Sequence, residues 1–211
     1  MKCDKNSLRL YAVTDRSWLN GETLPEQVEK SLRGGISCLQ LREKELSYDE
    51  FLNEAFEVKM LCEEYAVPFI INDNVDIAIK CKADGIHVGQ RDMLTTDVRK
   101  LVGEDMIIGV SAQTVEQAIL AEKMGADYLG VGAVFSTSTK LDADSVSFET
   151  LKAICAAVSI PVVAIGGITE ENLTKLKGSG ICGVALVSAI YASHDIEGTC
   201  KRLYSKIGEV I

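Results

Sequence analysis

The sequence lacks any apolar stretch of the roughly 18 residues that a membrane-spanning helix requires, so no such helix is predicted. Its first ten residues, MKCDKNSLRL, are charged and contain no apolar core like that of a secretory signal peptide. The seven cysteines are odd in number and include no C-x-x-C pair, which argues against a disulfide framework. Together these absences predict a cytoplasmic protein.

Positive charge is also scarce. The chain has 22 Lys and Arg against 31 Asp and Glu, for a net charge of −9. An acidic protein repels nucleic acids and anionic membrane surfaces, so neither is an expected partner. Any anion must be bound locally, by a few placed donors or by a metal ion. The 211 residues are 47% hydrophobic, without a linker or low-complexity segment, which predicts a single domain over residues 1–211.

Eight short apolar runs alternate with amphipathic stretches of helical period. Several runs are apolar on both faces, as in the strands of a parallel sheet covered by helices. Ser47, Thr114 and Thr169 each precede acidic residues in the manner of a helix N-cap. The predicted strands are Leu8–Val13, Ile36–Leu41, Phe69–Asn72, Gly85–Val88, Met106–Val110, Tyr128–Val131, Val162–Ile165 and Gly183–Val187.

A weak internal repeat accompanies this alternation, because every second strand is entered through a similar turn. The four turns are Gly34-Gly35-Ile36-Ser37, Lys82-Ala83-Asp84-Gly85, Gly125-Ala126-Asp127-Tyr128 and Gly178-Ser179-Gly180-Ile181. Regular β-α alternation allows either an open doubly wound sheet or a closed barrel. Eight strands and an even repeat favour an α/β fold of the (β/α)8 TIM-barrel type.

Chemistry in this barrel sits at the carboxyl ends of the strands, and the residues there are unusually polar. They are Gln40 to Lys44, Asn72-Asp73-Asn74, His87 to Asp92, Ser111, the run Ser136 to Lys140, Gly166-Gly167 and Ser188. Plainer interpretations remain open for most of them: a solvated charge run at residues 40–45, helix capping at 72–74, and a packed core histidine at His87.

Two anion sites are nevertheless predicted. The paired glycines and Ser188, each leading into a helix, suit a phosphate cradle after strands seven and eight. Asp73 and Asp92, from neighbouring strand ends, are suited to hold Mg²⁺ beside Lys and Arg, as a metal-bound diphosphate requires. A barrel with both sites suggests a transferase that joins two small phosphorylated molecules.

The strand ends, taken in order, resemble the thiamine-phosphate synthase family nearly end to end. The pieces are Gln40-x-Arg42-Glu43-Lys44, Ile71-Asn72-Asp73, Gly85-x-His87-Val88-Gly89-Gln90-x-Asp92, Gly109-Val110-Ser111, Val134-Phe135-x-Thr137-x-Thr139-Lys140, Ile165-Gly166-Gly167-Ile168 and Val187-Ser188-Ala189-Ile190. The family joins 4-amino-2-methyl-5-hydroxymethylpyrimidine diphosphate to 4-methyl-5-hydroxyethylthiazole phosphate or its carboxylate. Its mechanism is dissociative, with diphosphate leaving before the thiazole nitrogen attacks.

The resemblance implies a role for each matching residue. Mg²⁺ is the implied cofactor, with Asp73 and Asp92 as its ligands. Lys140, Lys44 and Ser111 are the implied catalytic residues. The implied pyrimidine-diphosphate site consists of Gln40, Leu41, Arg42, Glu43, Lys44, Asn72, Ser111 and Lys140. The implied thiazole-phosphate site consists of Thr137, Ser138, Thr139, Gly167, Val187 and Ser188.

The chain departs from the family pattern at three positions. Ala133 and Ser136 stand where prolines are common, and Gln113 stands where many members have His. A related thiazole tautomerase uses a His near position 113 for proton transfer, so Gln113 argues against that alternative. A second alternative is a phosphate-ligand sensor without catalysis, against which both carboxylates argue. The sequence leaves open the preferred thiazole and the oligomeric state, a homo-oligomer included.

Overall fold

The computed structural model describes residues 3–89, 95–136 and 145–211. Within them, eight parallel strands pair in sequence order, and the last pairs back to the first to close a barrel. This confirms the predicted (β/α)8 fold. The strands are β1 Leu10–Val13, β2 Cys38–Leu41, β3 Phe69–Asn72, β4 Gly85–Val88, β5 Ile107–Ala112, β6 Tyr128–Val131, β7 Val162–Ile165 and β8 Gly183–Leu186.

Helices surround the barrel, and two of the predicted caps are confirmed. Ser47 and Glu50 form a reciprocal capping box at α2, and Thr114 accepts a hydrogen bond from the Gln117 N–H at α5. No helix among the described ranges is long and apolar enough to cross a membrane. The helices are α1 Leu24–Arg33, α2 Tyr48–Glu64, α3 Val75–Lys80, α4 Thr95–Val102, α5 Val115–Lys123, α6 Phe148–Ala157, α7 Ser188–Tyr191 and α8 Ile196–Ile207, with 3-10 turns at Lys5–Leu8, Arg16–Trp18 and Leu173–Leu176.

Each strand contributes to two apolar layers because successive side chains alternate between the faces of the sheet. One face, which includes Leu39 and Ile71, packs against the helices. The other face, which includes Tyr11 and Tyr128, fills the barrel interior. Large interior residues are accommodated by small ones: a Cβ on Gly109 would lie 2.1 Å from the Cζ of Tyr128. The interior around Tyr128 is therefore a close-packed core and not a pore.

Several predicted boundaries were wrong by a short distance. The chain reaches β1 through the 3-10 turn Lys5–Leu8, so that strand begins at Leu10 and not at Leu8. Strand β5 continues to Ala112, which places Ser111 inside the strand and not after it. The predicted helix start at Thr169 is also wrong. The Asn172 carboxamide accepts the Thr169 N–H and donates to the Gly167 carbonyl, and the chain then forms only the 3-10 turn Leu173–Leu176.

The repeated turn has a physical role at the entrance to the even-numbered strands. The residue just before β2, β4 and β6 accepts a hydrogen bond from the first part of the preceding strand. Leu10 N–H donates to Ser37 Oγ at 2.8 Å, Phe69 N–H to Asp84 Oδ2 at 2.9 Å, and Ile108 N–H to Asp127 Oδ2 at 2.8 Å. At β8 the equivalent residue is Cys182, whose backbone N–H donates to the Val162 carbonyl. The repeat therefore marks the points at which paired strands are held in register.

Substitution of Asp127 tests this role. Its Oδ2 also accepts from Arg99, with an N···O distance of 2.6 Å, so Asp127→Ala leaves two donors without their acceptor. We expect a loss of about 2–3 kcal/mol in the free energy of unfolding, measured by urea denaturation. The matched control is Asp97→Ala, which removes an exposed pair with Lys100 and should leave the midpoint unchanged. Equal midpoints for both variants would contradict the assigned role.

Candidate active site

The carboxyl ends of β2 and β3 bring cations and carboxylates together at one rim of the barrel. Lys44, Asn72 and Asp73 line an open cavity of about 740 Å³ there, which a wall of Leu46, Phe51, Ile79 and Leu101 completes. The predicted cluster of Lys, Asn and Asp is therefore assembled in space from separate strand ends.

Asp73 occupies the centre of this cluster. Its φ of 62° is in the left-handed region, which Asp tolerates better than most residues, and it follows the last residue of β3. Its Oδ2 accepts hydrogen bonds from Lys44 Nζ at 2.5 Å and from Asn72 Nδ2 at 2.7 Å. The neighbouring Asn74 instead caps α3, so the capping interpretation of residues 72–74 is confirmed for Asn74, and the roles of Asn72 and Asp73 stay predictions.

The Asp73 carboxylate fits a magnesium ligand. Its side chain is 31% exposed, and its oxygen donors are those that Mg²⁺ prefers. In the part of the chain that the structure describes, no group of three or more His, Cys, Asp or Glu surrounds a common point. Mg²⁺ commonly binds through one or two carboxylates, waters and substrate phosphates, so a closed protein cage is not required. The second predicted ligand, Asp92, lies outside the described residues.

The two cations after β2, Arg42 and Lys44, form ion pairs with carboxylates from other strand ends and not with the adjacent Glu43 and Glu45. Arg42 NH1 lies 3.0 Å from Asp15 Oδ2, and Lys44 Nζ binds Asp73. The Arg42 backbone N–H donates to Thr14 Oγ1 at 3.0 Å, which ties this loop to the end of β1. An arriving anion therefore competes with a carboxylate for each of these cations.

Glu43 points inward and holds the loop that carries Lys44. Its side chain is 2% exposed, and its Oε2 lies 2.5 Å from Arg16 Nε. Its Oε1 accepts the backbone N–H groups of Lys44 and Glu45 at 2.7 and 2.9 Å. Burial alone would raise the pKa of Glu43, but these hydrogen bonds outweigh burial and lower it. The carboxylate is thus charged and engaged within the protein.

Arg16 connects Glu43 to Glu54 of α2. Sequence analysis identified neither Arg16 nor Glu54 as part of the site. The guanidinium binds both carboxylates, while burial raises the pKa of Glu54. Leu41 likewise faces the helix layer and is fully buried, so a substrate would meet its backbone and not its side chain. The predicted substrate contacts of Leu41 and Glu43 stay predictions.

Gln40 and Ser111 face the barrel interior below the rim. Gln40 donates to the hydroxyl of Tyr11, and Ser111 Oγ lies 3.0 Å from Nε2 of His87. His87 is half-buried and packs against Tyr128 with ring centroids 5.6 Å apart. The predicted core histidine thus carries polar contacts as well. The only sequence signal for Tyr11 and Tyr128 is a phenol within an otherwise apolar strand.

The end of β7 lies beside the loop that follows β6, and β8 is the next strand. Gly167 has a φ of 65°, and a Cβ there would lie 2.3 Å from the carbonyl oxygen of Ser136. Ser188 begins the four-residue helix α7, directly after Val187. The helix predicted after Gly167 is absent from this described segment, which has a 3-10 turn instead. Of the two helices expected in the predicted phosphate cradle, the one that begins at Ser188 is therefore present and the one after Gly167 is not. The function of the cradle stays a prediction.

The remaining predicted residues belong to two segments that lie outside the described ranges. They are Asp92 after β4 and Thr137, Ser138, Thr139 and Lys140 after β6. The roles assigned to these residues from the sequence stay predictions.

Comparison with known proteins identifies the family. Residues 10–190 match the family model described as thiamine monophosphate synthase. The chain belongs to this family. Over 194 residues it is 53% identical to the thiamine-phosphate synthase of Ruminiclostridium cellulolyticum, covering 92% of both chains. It is 50% identical to that of Clostridium tetani, covering 92% of this chain and 93% of the other. The solved thiamine phosphate pyrophosphorylase from Pyrococcus furiosus is 36% identical with a TM-score of 0.91, covering 98% of each chain.

Membership in the thiamine monophosphate synthase family disfavours the tautomerase alternative. Gln113 follows β5, and its backbone N–H donates to Gln117 Oε1 at 2.7 Å. A carboxamide has no titratable proton near neutral pH and is unsuited to serve as a general base.

The importance of Arg16 for the Lys44 loop can be tested by Arg16→Gln. The substitution leaves two carboxylates without a cation, one of them almost fully buried. We expect a loss of about 3 kcal/mol in unfolding free energy, measured by urea denaturation. The control is Arg33→Gln, which breaks an exposed pair with Glu29 on α1. A stability equal to that of the control would show that Arg16 does not hold this loop.

Proposed function

We propose that this chain catalyses the synthesis of thiamine phosphate. The substrates are 4-amino-2-methyl-5-hydroxymethylpyrimidine diphosphate and 4-methyl-5-hydroxyethylthiazole phosphate or its carboxylate. The observation that carries the proposal is the Lys44–Asp73–Asn72 cluster at the rim of a barrel whose family is thiamine monophosphate synthase. A biosynthetic step of this kind belongs in the cytoplasm and requires two small phosphorylated molecules as partners.

The proposed reaction exchanges one bond for another. The bond between the pyrimidine methylene carbon and the diphosphate oxygen breaks, and its electron pair leaves with diphosphate. The thiazole ring nitrogen then donates its lone pair to the resulting pyrimidine cation and becomes a thiazolium. When the thiazole carries a carboxylate, the bond from the ring carbon to the carboxylate also breaks, CO₂ leaves, and the electron pair left on that carbon takes up a proton from solvent. Bond cleavage itself requires no proton transfer, so a carboxamide at Gln113, which cannot act as a base, is compatible with this reaction.

Charge neutralisation of the leaving diphosphate is the main task of the rim. Lys44 lies within reach of Asp73, and Arg42 lies on the same loop. Lys140, from the loop after β6, supplies a further cation in this proposal. A Mg²⁺ ion held by Asp73 and Asp92 would stabilise the growing negative charge on the diphosphate. The two lysines orient the diphosphate and restrict access of water, which would otherwise capture the cation.

The two substrates are assigned to different groups of residues. Gln40 and Ser111 face inward from β2 and β5 and orient the pyrimidine, while Asn72 holds Asp73 in place. The thiazole phosphate is assigned to the opposite part of the rim, at Gly167, where the backbone packs too closely against the Ser136 carbonyl to admit a side chain. The residues of that subsite are Thr137, Ser138, Thr139, Gly167, Val187 and Ser188.

Asp73→Asn tests the metal assignment. The amide is a poorer ligand for Mg²⁺ than the carboxylate and carries no charge. We expect thiamine phosphate formation to fall by at least about 100-fold, with residual activity shifted to higher magnesium concentrations. Wild-type protein treated with EDTA should lose activity and regain it with added magnesium. The control Asp97→Asn alters an exposed carboxylate of α4. Unchanged magnesium dependence in Asp73→Asn would refute the assignment.

Lys140→Ala tests the second diphosphate contact. Loss of an ammonium that acts on the leaving group should reduce kcat by about 100- to 1000-fold, measured as product formed at saturating substrates. Lys152→Ala, an exposed substitution on α6, provides the matched control. Near-normal turnover of Lys140→Ala would remove this residue from the mechanism.

A further inference from the structure

The end of β1 holds the loop that follows β2 through three consecutive residues. Thr14 is buried, and its Oγ1 accepts the Arg42 backbone N–H at 3.0 Å. Asp15 Oδ2 lies 3.0 Å from Arg42 Nη1. The next residue, Arg16, binds the Glu43 carboxylate through its guanidinium. The backbone of the loop is therefore anchored at Arg42, while the Arg42 side chain, which is 28% exposed, can still change its partner.

The Asp15 carboxylate is fixed more firmly than the guanidinium that it contacts. Its Oδ1 accepts the Ser17 backbone N–H at 2.9 Å and so caps the 3-10 turn Arg16–Trp18. The Asp15 side chain is only 12% exposed. Partial burial strengthens the attraction between the two charges relative to a pair in bulk water. A phosphate group that binds Arg42 therefore acts against a stationary carboxylate.

The two ion pairs after β2 differ in what happens to their carboxylates. Asp73, the partner of Lys44, is the proposed magnesium ligand, so a bound metal ion offsets its charge. Asp15 is not a proposed ligand and keeps its charge when the metal binds. Among the residues that the structure describes, Asp15 is also the one carboxylate within ion-pair distance of Arg42. A diphosphate that approaches Arg42 consequently meets a negative charge that the metal ion does not bind.

This fixed charge affects substrate and product differently. Breaking the bond to the pyrimidine methylene exposes a further oxygen on diphosphate, so the free product reaches a higher negative charge than the esterified substrate. Repulsion by a fixed carboxylate therefore acts more strongly on the product than on the substrate. Arginine binds both species through charge-assisted hydrogen bonds, which Asp15 opposes by occupying Nη1 of Arg42.

We propose that Asp15 is a positioning residue that competes with diphosphate for Arg42 and promotes release of diphosphate as a product. The anchored backbone keeps Arg42 at the rim, and Asp15 limits how tightly its guanidinium holds an anion. A residue that only stabilised the loop would have the opposite effect, since a loosened loop binds an anion more weakly. The contribution to product release rests on the proposed function, whereas the competition for Arg42 does not.

Calorimetric titration of the protein with inorganic diphosphate in the presence of Mg²⁺ measures this competition. Asp15→Asn removes the charge but retains an oxygen for the Ser17 N–H, because Asn is as good a cap as Asp. We expect the Kd for diphosphate to fall about five- to tenfold, as the loss of one charge near the anion implies. Asp15→Ser, which also retains a capping oxygen, should give a similar decrease. An unchanged or higher Kd in these variants would overturn the proposal.

Two further variants provide the controls. Asp4→Asn is matched to Asp15→Asn, because Asp4 likewise accepts a backbone N–H and caps a 3-10 turn, Lys5–Leu8, at the other end of β1. It should leave the Kd unchanged, and an equal decrease would attribute the effect to net charge and refute the competition. Arg42→Gln should raise the Kd at least about tenfold. An unchanged Kd in Arg42→Gln would show that the anion does not use Arg42 and would likewise refute it.

Steady-state kinetics then test the contribution to product release. In Asp15→Asn, inorganic diphosphate should inhibit thiamine phosphate formation at about five- to tenfold lower concentration. The KM for the pyrimidine diphosphate should fall without a rise in kcat, and the KM for thiazole phosphate should stay unchanged. Inhibition equal to that of the wild-type protein would refute the role in release. An absence of product with wild-type protein would refute the proposed function, while the diphosphate titration would still decide the competition for Arg42.

Discussion

Closure of a parallel barrel is the constraint from which the rest of this structure follows. Because all strands run the same way, every carboxyl end reaches one rim, and side chains far apart in sequence become neighbours there. Closure also creates an interior that must be filled without voids. In this protein Tyr128 fills part of that space, and the absence of a side chain at Gly109 leaves room for its ring. The hydroxyl of Tyr128 in turn contacts Tyr11 and His87, so polar side chains are held within the core directly below the rim.

The electrostatics of the rim reconcile an acidic protein with anionic ligands. The net charge of −9 opposes the approach of a diphosphate, and both cations after β2 are held by carboxylates. Asp73 is both the partner of Lys44 and the proposed metal ligand, so metal and diphosphate binding would free the lysine for the substrate. The Glu43 carboxylate, bound by Arg16 and two backbone N–H groups, keeps the loop in place while these partners change.

Local features of the fold were readable in advance because they depend on nearby residues. The caps at Ser47 and Thr114 involve residues three positions apart, and the repeated entry turn recurs with its hydrogen-bonding role. Failures occurred where local pattern and tertiary demand differ. Thr169 resembles a helix N-cap, but its backbone N–H donates to the Asn172 carboxamide. That carboxamide in turn donates to the Gly167 carbonyl, close to the end of β7. Ser111 follows an apolar run, yet pairing with β6 extends that strand to include it.

By itself, the sequence determined the alternation of strands and helices, the polar character of the strand ends and the resemblance to one family. Those properties depend on periodicity and on residue type. Only the tertiary structure decided which of the polar groups meet. Tyr11 and Tyr128 are separated by 117 positions, and Arg16 reaches Glu43 from another strand end. The register and closure of the barrel set such contacts, and no short stretch of sequence records either one.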